Sequence, residues 1–478
     1  MYKSEIRKKY LLFGSTGAML GAVIGIGGGF AIEMLVNGLM EHAFVFGVIP
    51  HKLEPGPFFV LPIGATLVTV IAVFWSSDKV LSCSAVGLLS GSEPTKRSRK
   101  KSAKSDSRSV YVKLILNNFV TDMGRETVSV FIIVVCCVLI GLGTTVKLGH
   151  YSALHNQVDR ILRYDLKVTL TENVTEEERE KVLQEIAAYE YVACGKMGGV
   201  LQTQDGQTLT EVYYVEDAEK FETFYSLLDA AGRPVDIPTE GLMVTYEMLE
   251  KDKLYDGRKV TLITDDLKKA NMKINGNFML HVGKAAVMSM DYAREILGEE
   301  LTLNTYLIKV GKDHIETVQE RLSALEGIST VNRGDEILDL KAGVSKLYNA
   351  VVLIVVGFSI MLSFMILLNL SNILVAHRMK ELLTMRINGF SNGQVIGYLV
   401  REIVLTTSLG VMIGLLIGIP STAVIIRHIE SNSFMFLRKT YPAAWGLAVS
   451  CNLIFSVMIN SIAFRKIKKV PLTDITKY

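Results

Sequence analysis

Apolar residues in this chain gather into long blocks instead of short periodic patches. Six runs of 18 or more residues carry few or no charges, roughly 11–32, 57–76, 127–146, 348–375, 402–426 and 443–463. Runs of that length are long enough to cross a hydrocarbon core. Between the third and fourth run lies a polar stretch, 147–346, the size of an ordinary domain. The expected fold class is a polytopic α-helical membrane protein, with about six transmembrane helices and one large α+β extracytoplasmic domain.

Within 147–346 the periodicity changes from segment to segment. Residues 164–171 alternate as a strand does, and Thr175 with Glu178 forms a capping box for a helix over 176–189. Segments 200–204 and 208–215 flank Asp205-Gly206, a pair suited to a two-residue type I′ hairpin. Further strands are expected over 258–264, 278–288 and 304–310, and helices over 245–251, 290–297 and 313–325. Asn173-Val174-Thr175 is a glycosylation sequon by pattern, to which no function is attached.

An internal repeat links the two ends of the chain. Residues 15–27, STGAMLGAVIGIG, align without a gap on 408–420, SLGVMIGLLIGIP, with seven of 13 positions identical. Each copy leads through a short loop to a run opening at Pro57 or Pro442, and then to a basic stretch. The C-terminal unit has four spans and the N-terminal unit only the last two, so the pattern predicts a duplicated module that lacks its first half. Gly17, Gly21, Gly25 and Gly29 recur every four residues, as do Gly410, Gly414 and Gly418. Such a stripe lets helices in lipid approach closely, with Val411 read as an outward position. The run GIGGG at 25–29 lies inside an apolar block, without the strand-then-helix context of a nucleotide loop.

Charge adds an orientation. Segments 1–10, 77–125, 374–401 and 464–478 hold 4, 10, 4 and 5 Lys+Arg, whereas the alternate loops 33–57 and 427–442 hold 1 and 3. Short loops rich in Lys and Arg stay cytoplasmic. Both termini are therefore expected in the cytoplasm, and 147–346 outside it, at a cell (plasma or inner) membrane. The first run is too long for a signal-peptide core and is read as a retained span. Residues 91–109 form a basic Ser/Lys-rich cytoplasmic linker, and 110–125 suit a helix at the cytoplasmic surface. Overall the 478 residues are 49% hydrophobic with mean hydropathy +0.33 and net charge +3. Of five cysteines only Cys194 falls in the external domain, which excludes an internal disulfide there.

No catalytic constellation emerges. The chain has no Gly-x-x-x-x-Gly-Lys-Ser/Thr phosphate loop, no His-Glu-x-x-His, and no paired-cysteine metal set. No cofactor, metal or nucleic-acid partner is expected. Midplane acids and bases are lacking, which argues against ion-coupled secondary transport. Asn369 and Asn372 are read as interhelical hydrogen-bonding groups.

The loop 376–402 holds the chemistry that remains. Arg378, Lys380, Glu381 and Arg386 mark it as cytoplasmic, Asn388-Gly389 breaks the helical pattern, and Ser391 can cap a second helix. Its segment ELLTMRINGFSNGQV, 381–395, resembles the Glu-x-x-x-x-Arg-x-x-Gly-x-Ser/Thr-x-x-Gln-Val/Ile loop of the FtsX/MacB-type ABC permease family. Glu381, Arg386, Gly389, Ser391 and Gln394 carry the match. The glycine-rich span, the basic tail and the order span–external domain–three spans are also similar, over about 110–478.

The resemblance implies a permease subunit without its own ATPase activity. Its ATP would be bound by a separate cytoplasmic ABC ATPase, engaged through a coupling loop containing Arg378, Glu381, Arg386, Gly389, Ser391 and Gln394. It further implies movement of the external domain, by mechanotransmission, for export or extraction of a lipid or peptide. Residues 1–90 resemble the end of a preceding copy. The family normally has both modules complete, so the resemblance leaves open a truncated or split gene, with a second permease chain as one source of the missing half-module. The domain plan is a partial module (1–90), linker (91–109), surface helix and third span (110–146), external domain (147–346), and three C-terminal spans with the loop (347–478). The bilayer is a partner throughout. An alternative from another class stays open: a non-transporting sensor that relays an extracellular peptide or cell-wall signal to a kinase or hydrolase.

Overall fold

The computed structural model describes residues 3–43, 55–81, 123–203, 205–298, 301–340, 342–430 and 434–469. The linker 91–109 and all but the last three residues of the expected surface helix 110–125 lie outside them. The chain divides into two units, Met1–Met123 and Gly124–Tyr478. Among the described residues four helices are long and apolar enough to cross a membrane: Arg7–Gly38, Thr127–Ile161, Ser345–Asn369 and Ile403–Ile429. The other two expected runs give shorter apolar stretches, Phe58–Phe74 and Pro442–Met458.

The first unit is a pair of helices, α1 (Lys3–Ala43) and α2 (Pro55–Leu81). Their close approach runs through Gly14, where an added Cβ would meet Thr69 Cγ2 at 2.9 Å and Val73 Cγ2 at 3.5 Å. Arg7 lies over the Phe74 ring, 4.8 Å from its centroid. At Gly17, Gly21, Gly25 and Gly29 an added Cβ would meet no described atom within 4 Å.

The second unit opens with α3 (Met123–Asn156), which runs past its apolar segment and closes in one π turn, Gln157–Ile161. A polar domain follows. Strand β1 (Leu166–Leu170) leads to α4 (Glu176–Ile186), started by the Thr175–Glu178 capping box, and then to β2 (Glu190–Gln202). Near the domain's end the same unit recurs: β8 (Thr305–Lys309), α8 (Ile315–Ser323), β9 (Ile328–Arg333). These strands line up as β9-β1-β8-β2, all antiparallel, with Val168, Ile308, Val182, Ile186, Val318 and Leu322 packed between sheet and helices. The order is that of a split βαβ (ferredoxin-like) sheet.

Everything between β2 and β8 is an insertion that closes on itself. Strands β3 (Gln207–Val215), β4 (Leu242–Thr245), β5 (Lys259–Thr264), β6 (Lys269–Phe278) and β7 (Ala285–Ser289) run β2-β3-β7-β4-β6-β5, and β5 pairs back to β2. Residues 199–202 of β2 have β3 on one side and β5 on the other, so the ring is a six-stranded barrel without an edge there. Strand β2 serves both sheets, its first half pairing β8 and its second half the barrel. Its glycines permit this: the Tyr214 ring occupies the place of a side chain on Gly195, and Leu262 Cδ1 would lie 2.6 Å from a Cβ on Gly199. Short helices α5 (Ala218–Phe224), α6 (Tyr246–Lys251) and α7 (Met290–Leu297) cap the barrel.

Two strand expectations change. Strands β2 and β3 pair as far as Gln202↔Gln207, so their connection is longer than the two residues expected. Neither Asp205 nor Gly206 has the positive φ that a type I′ turn demands. The strand expected over 278–288 is two strands, one ending at Phe278 and one starting at Ala285, with the joining loop committed to other contacts described below.

After α9 (Glu336–Leu340) come α10 (Ala342–Ile387), α11 (Asn392–Ile429) and α12 (Pro442–Lys469). With α3 they form a bundle. A Cβ on Gly410 would lie 2.7 Å from Ile133 Cγ2, and one on Gly414 2.9 Å from Cys137 Cβ, so α11 meets α3 backbone-close. The indole of Trp445 on α12 fills the space over Gly418, 2.5 Å from an added Cβ, and over Gly141 of α3. Val411 is no outward position: it is buried with Ile133 and Leu367, because α11 is covered on more than the glycine face. Asn369 is exposed, and buried interhelical hydrogen bonds come from Ser363 to Asn452 (3.1 Å) and Thr407 to Ser456 (3.3 Å).

Candidate functional site

Two ordered side-chain constellations lie at opposite ends of α11. The helix has 38 residues, so they are separated by about 57 Å along its axis.

At the first end α10 stops and α11 starts within four residues. The N–H of Phe390 donates to Met385 O at 3.1 Å and that of Gly389 to Arg386 O at 3.2 Å, the paired bonds of a Schellman stop, and Gly389 has φ +88°. Ser391 then caps α11. Its N–H donates to Gln394 Oε1 at 2.9 Å, and its Oγ accepts from the Gln394 N–H at 3.4 Å. Gly389, Ser391 and Gln394 thus hold a rigid reversal between two long helices. Arg386 is half-buried one turn before it. Arg378 and Glu381 lie on the C-terminal part of α10, with side chains outside the described residues. The tip presents two apolar side chains that sequence patterning did not single out: Ile387 is 61% exposed and Phe390 46%.

At the other end residues 434–441, part of the loop 430–441 between α11 and α12, reach the polar domain. Phe434 pairs with Val282 of the β6–β7 loop in an isolated antiparallel bridge, and the Met435 N–H donates to His281 O at 2.8 Å. His281 is fully buried. Its Nδ1 lies 3.1 Å from Met435 O and its Nε2 2.9 Å from Asn156 Nδ2 of α3, while its N–H donates to Gln157 Oε1 at 2.8 Å. Burial lowers its pKa to about 4, so near neutral pH it is the uncharged tautomer with Nδ1–H donating to the carbonyl. Phe434 and Phe436 pack with Val146, Leu154 and Val352, and stack around His150 and Tyr348. One loop therefore ties the stalk α3, the barrel and the helices α10–α12 together.

Arg438 is the electrostatic centre of this joint. Its guanidinium donates to Glu250 of α6, at 2.8 Å from Oε1, and to Glu430 at the end of α11, at 3.1 Å from Oε1. Burial alone would lower the Arg438 pKa, but the two carboxylates outweigh it and raise it. The same contact holds Glu250 below its usual range. One turn earlier on α6, Glu247 is fully buried with neither carboxyl oxygen hydrogen-bonded, Lys251 Nζ standing 4.0 Å away. Burial pushes its pKa up to about 7. In the sequence Arg438 is only one charge of a loop; that Glu430, Arg438 and Glu250 meet depends on the tertiary fold.

Residues 353–471 match the family model for FtsX-like permease C-terminal, a region that contains both the hairpin and the loop of the joint. No curated protein matches the chain. Among solved structures, a similar chain is the extracellular domain of the noncanonic ABC-type transporter YknZ from Gram-positive bacteria. It is 10% identical, with 36% of this chain and 98% of that one covered and a TM-score of 0.22.

Proposed function

We propose, taking as premise that residues 353–471 are an FtsX-like permease C-terminal domain, that this membrane protein is the permease subunit of an ABC transporter of the mechanotransmission type. The hairpin α10–α11 is the element that engages a separate cytoplasmic ATPase, and the domain formed by 147–346 is the extracytoplasmic part that moves. The load is a lipid or peptide exported or extracted from the membrane. One observation carries this reading: the matched segment turns in a Schellman stop followed directly by a capping box. A coupling element has to keep its shape under load, and two long helices joined through satisfied caps do so where a loose loop would not. Arg386 supplies a multidentate cation and Ile387 and Phe390 an apolar tip, a combination suited to a protein pocket.

Co-purification of the cognate ATPase with the wild-type chain, Arg386→Ala and Gly389→Val tests it. Both variants are expected to insert normally and to lose most of the bound ATPase. Full retention of the ATPase and of coupled ATP hydrolysis in both would make the hairpin a plain connection.

A further inference from the structure

We propose that the cavity at the joint is a binding site for a phosphate-bearing anion at the membrane surface, of the kind presented by an acidic phospholipid headgroup. The cavity has a volume of about 320 Å³ and opens between the end of α3, the loop 228–232, the β6–β7 loop and the loop 430–441. That is the size of a small-ligand pocket. It sits where an apolar run ends, since Arg427, on its rim, is the first charge after the run 402–426.

The charges around it do not balance. Arg160, Arg427, Arg438 and Lys439 line it, against Asp229. Each nearby carboxylate is already engaged. Asp229 is held by Arg233 and by the N–H groups of Ala231 and Arg233, while Glu250 and Glu430 both hold Arg438. Of the four basic side chains that line the cavity, Arg438 is held by Glu250 and Glu430 and Arg427 stands 3.9 Å from Glu250, while Arg160 and Lys439 have no carboxylate partner among the described residues. His281 adds no charge, because both ring nitrogens are used and it is neutral. The wall also carries the polar Asn156 and Tyr246, with apolar patches from Leu228, Met279 and Met435.

Guanidinium and ammonium donors converging from three separate segments fit a group with several oxygens and at least one negative charge better than a single carboxylate. Apolar walls beside them fit the first carbons of an amphiphile. A free phosphate offers the same oxygens without those carbons. The proposal needs no ATPase and stands apart from the coupling role of the hairpin.

Native mass spectrometry of the detergent-purified full chain tests it, titrating dihexanoyl phosphatidylglycerol, dihexanoyl phosphatidylcholine and inorganic phosphate. Phosphatidylglycerol is expected to bind at least about tenfold more tightly than phosphatidylcholine, and Arg160→Gln and Lys439→Gln each to weaken it about three- to tenfold, as for partly exposed charge-assisted bonds. Lys147→Gln, a charge removed from α3 outside the cavity, should leave binding unchanged. Failure of inorganic phosphate to compete assigns the site to the lipid headgroup; competition at equal concentration assigns it to free phosphate. Equal binding of the two lipids, or wild-type affinity in the Arg160→Gln/Lys439→Gln double variant, overturns the proposal.

Discussion

Gly389 shows what a single backbone position contributes. With φ +88° it occupies a region that a β-branched residue enters only at a cost of about 1–3 kcal/mol, whereas Asn tolerates it better. Space is not the issue, because an added Cβ there would meet nothing within 4 Å. Gly389→Val should therefore unravel the end of α10 and release the ATPase, while Gly389→Asn keeps most of both; hydrogen exchange over 380–390 reports the first and co-purification the second. Glu247 gives a different residue-scale prediction. Its pKa in the folded domain, about 7, lies above the ordinary value of 4.5, so the folded state holds the proton more tightly than the unfolded one. Its contribution is most favourable below about pH 4.5 and is lost as pH rises towards 7, by on the order of 2 kcal/mol. Protection of α6 against hydrogen exchange, corrected for intrinsic rates, should fall from pH 5 to pH 8 in the wild type and much less in Glu247→Gln.

Elements were legible where a local rule decides them. The cap at Thr175, the cap at Ser391 and the stop at Gly389 all stand in the sequence at the spacing the hydrogen bonds need, and the helices begin and end there. Strand β6 alternates cleanly, with Ala270, Met272 and Ile274 buried between exposed Lys and Asn, but its polar face lowers its strand propensity and hides it in the sequence. The first half of strand β2 is hidden for a related reason: Gly195, Gly198 and Gly199 weaken a strand in isolation, and only Tyr214, Asp265 and Leu262 lying against them in turn explain their presence. The glycine stripe of α11 was visible as a stripe, but not which helices it meets. Gly414→Leu should force α11 from α3, since its Cβ already falls 2.9 Å from Cys137. Met412→Leu, at a position 55% exposed, is the control that Val411 cannot be. Size-exclusion profiles and melting temperature in detergent should drop clearly for the first and hardly at all for the second.

At the scale of the whole molecule, the second unit behaves as a chain of stiff parts with one linking loop. Helix α11 connects the hairpin to the joint without a break, and at the joint Phe434, Met435 and Arg438 bind the barrel while Phe436 packs on the stalk. None of these pairings could be read from the sequence, because each joins residues more than 100 positions apart through a fold that has to be known first. Arg438 shows the size of the link: Glu430 is fully buried, and removing its cation leaves an uncompensated charge at a cost of about 3–5 kcal/mol. If the stroke passes through this loop, fixing it to the barrel should stop the cycle without unfolding anything. Val282 and Phe434 face each other as an antiparallel bridge pair, a spacing of about 4.5–5.5 Å between Cα atoms that a disulfide can span. Cys136, Cys137 and Cys194 are buried and would not compete readily for oxidant. Val282→Cys/Phe434→Cys is therefore expected to cross-link on mild oxidation, with the ATPase still bound. Coupled ATP hydrolysis should then fall severalfold and return on reduction. Full hydrolysis in the cross-linked complex would mean that the domain and the loop move as one body, and that the stroke is delivered through the stalk α3 alone.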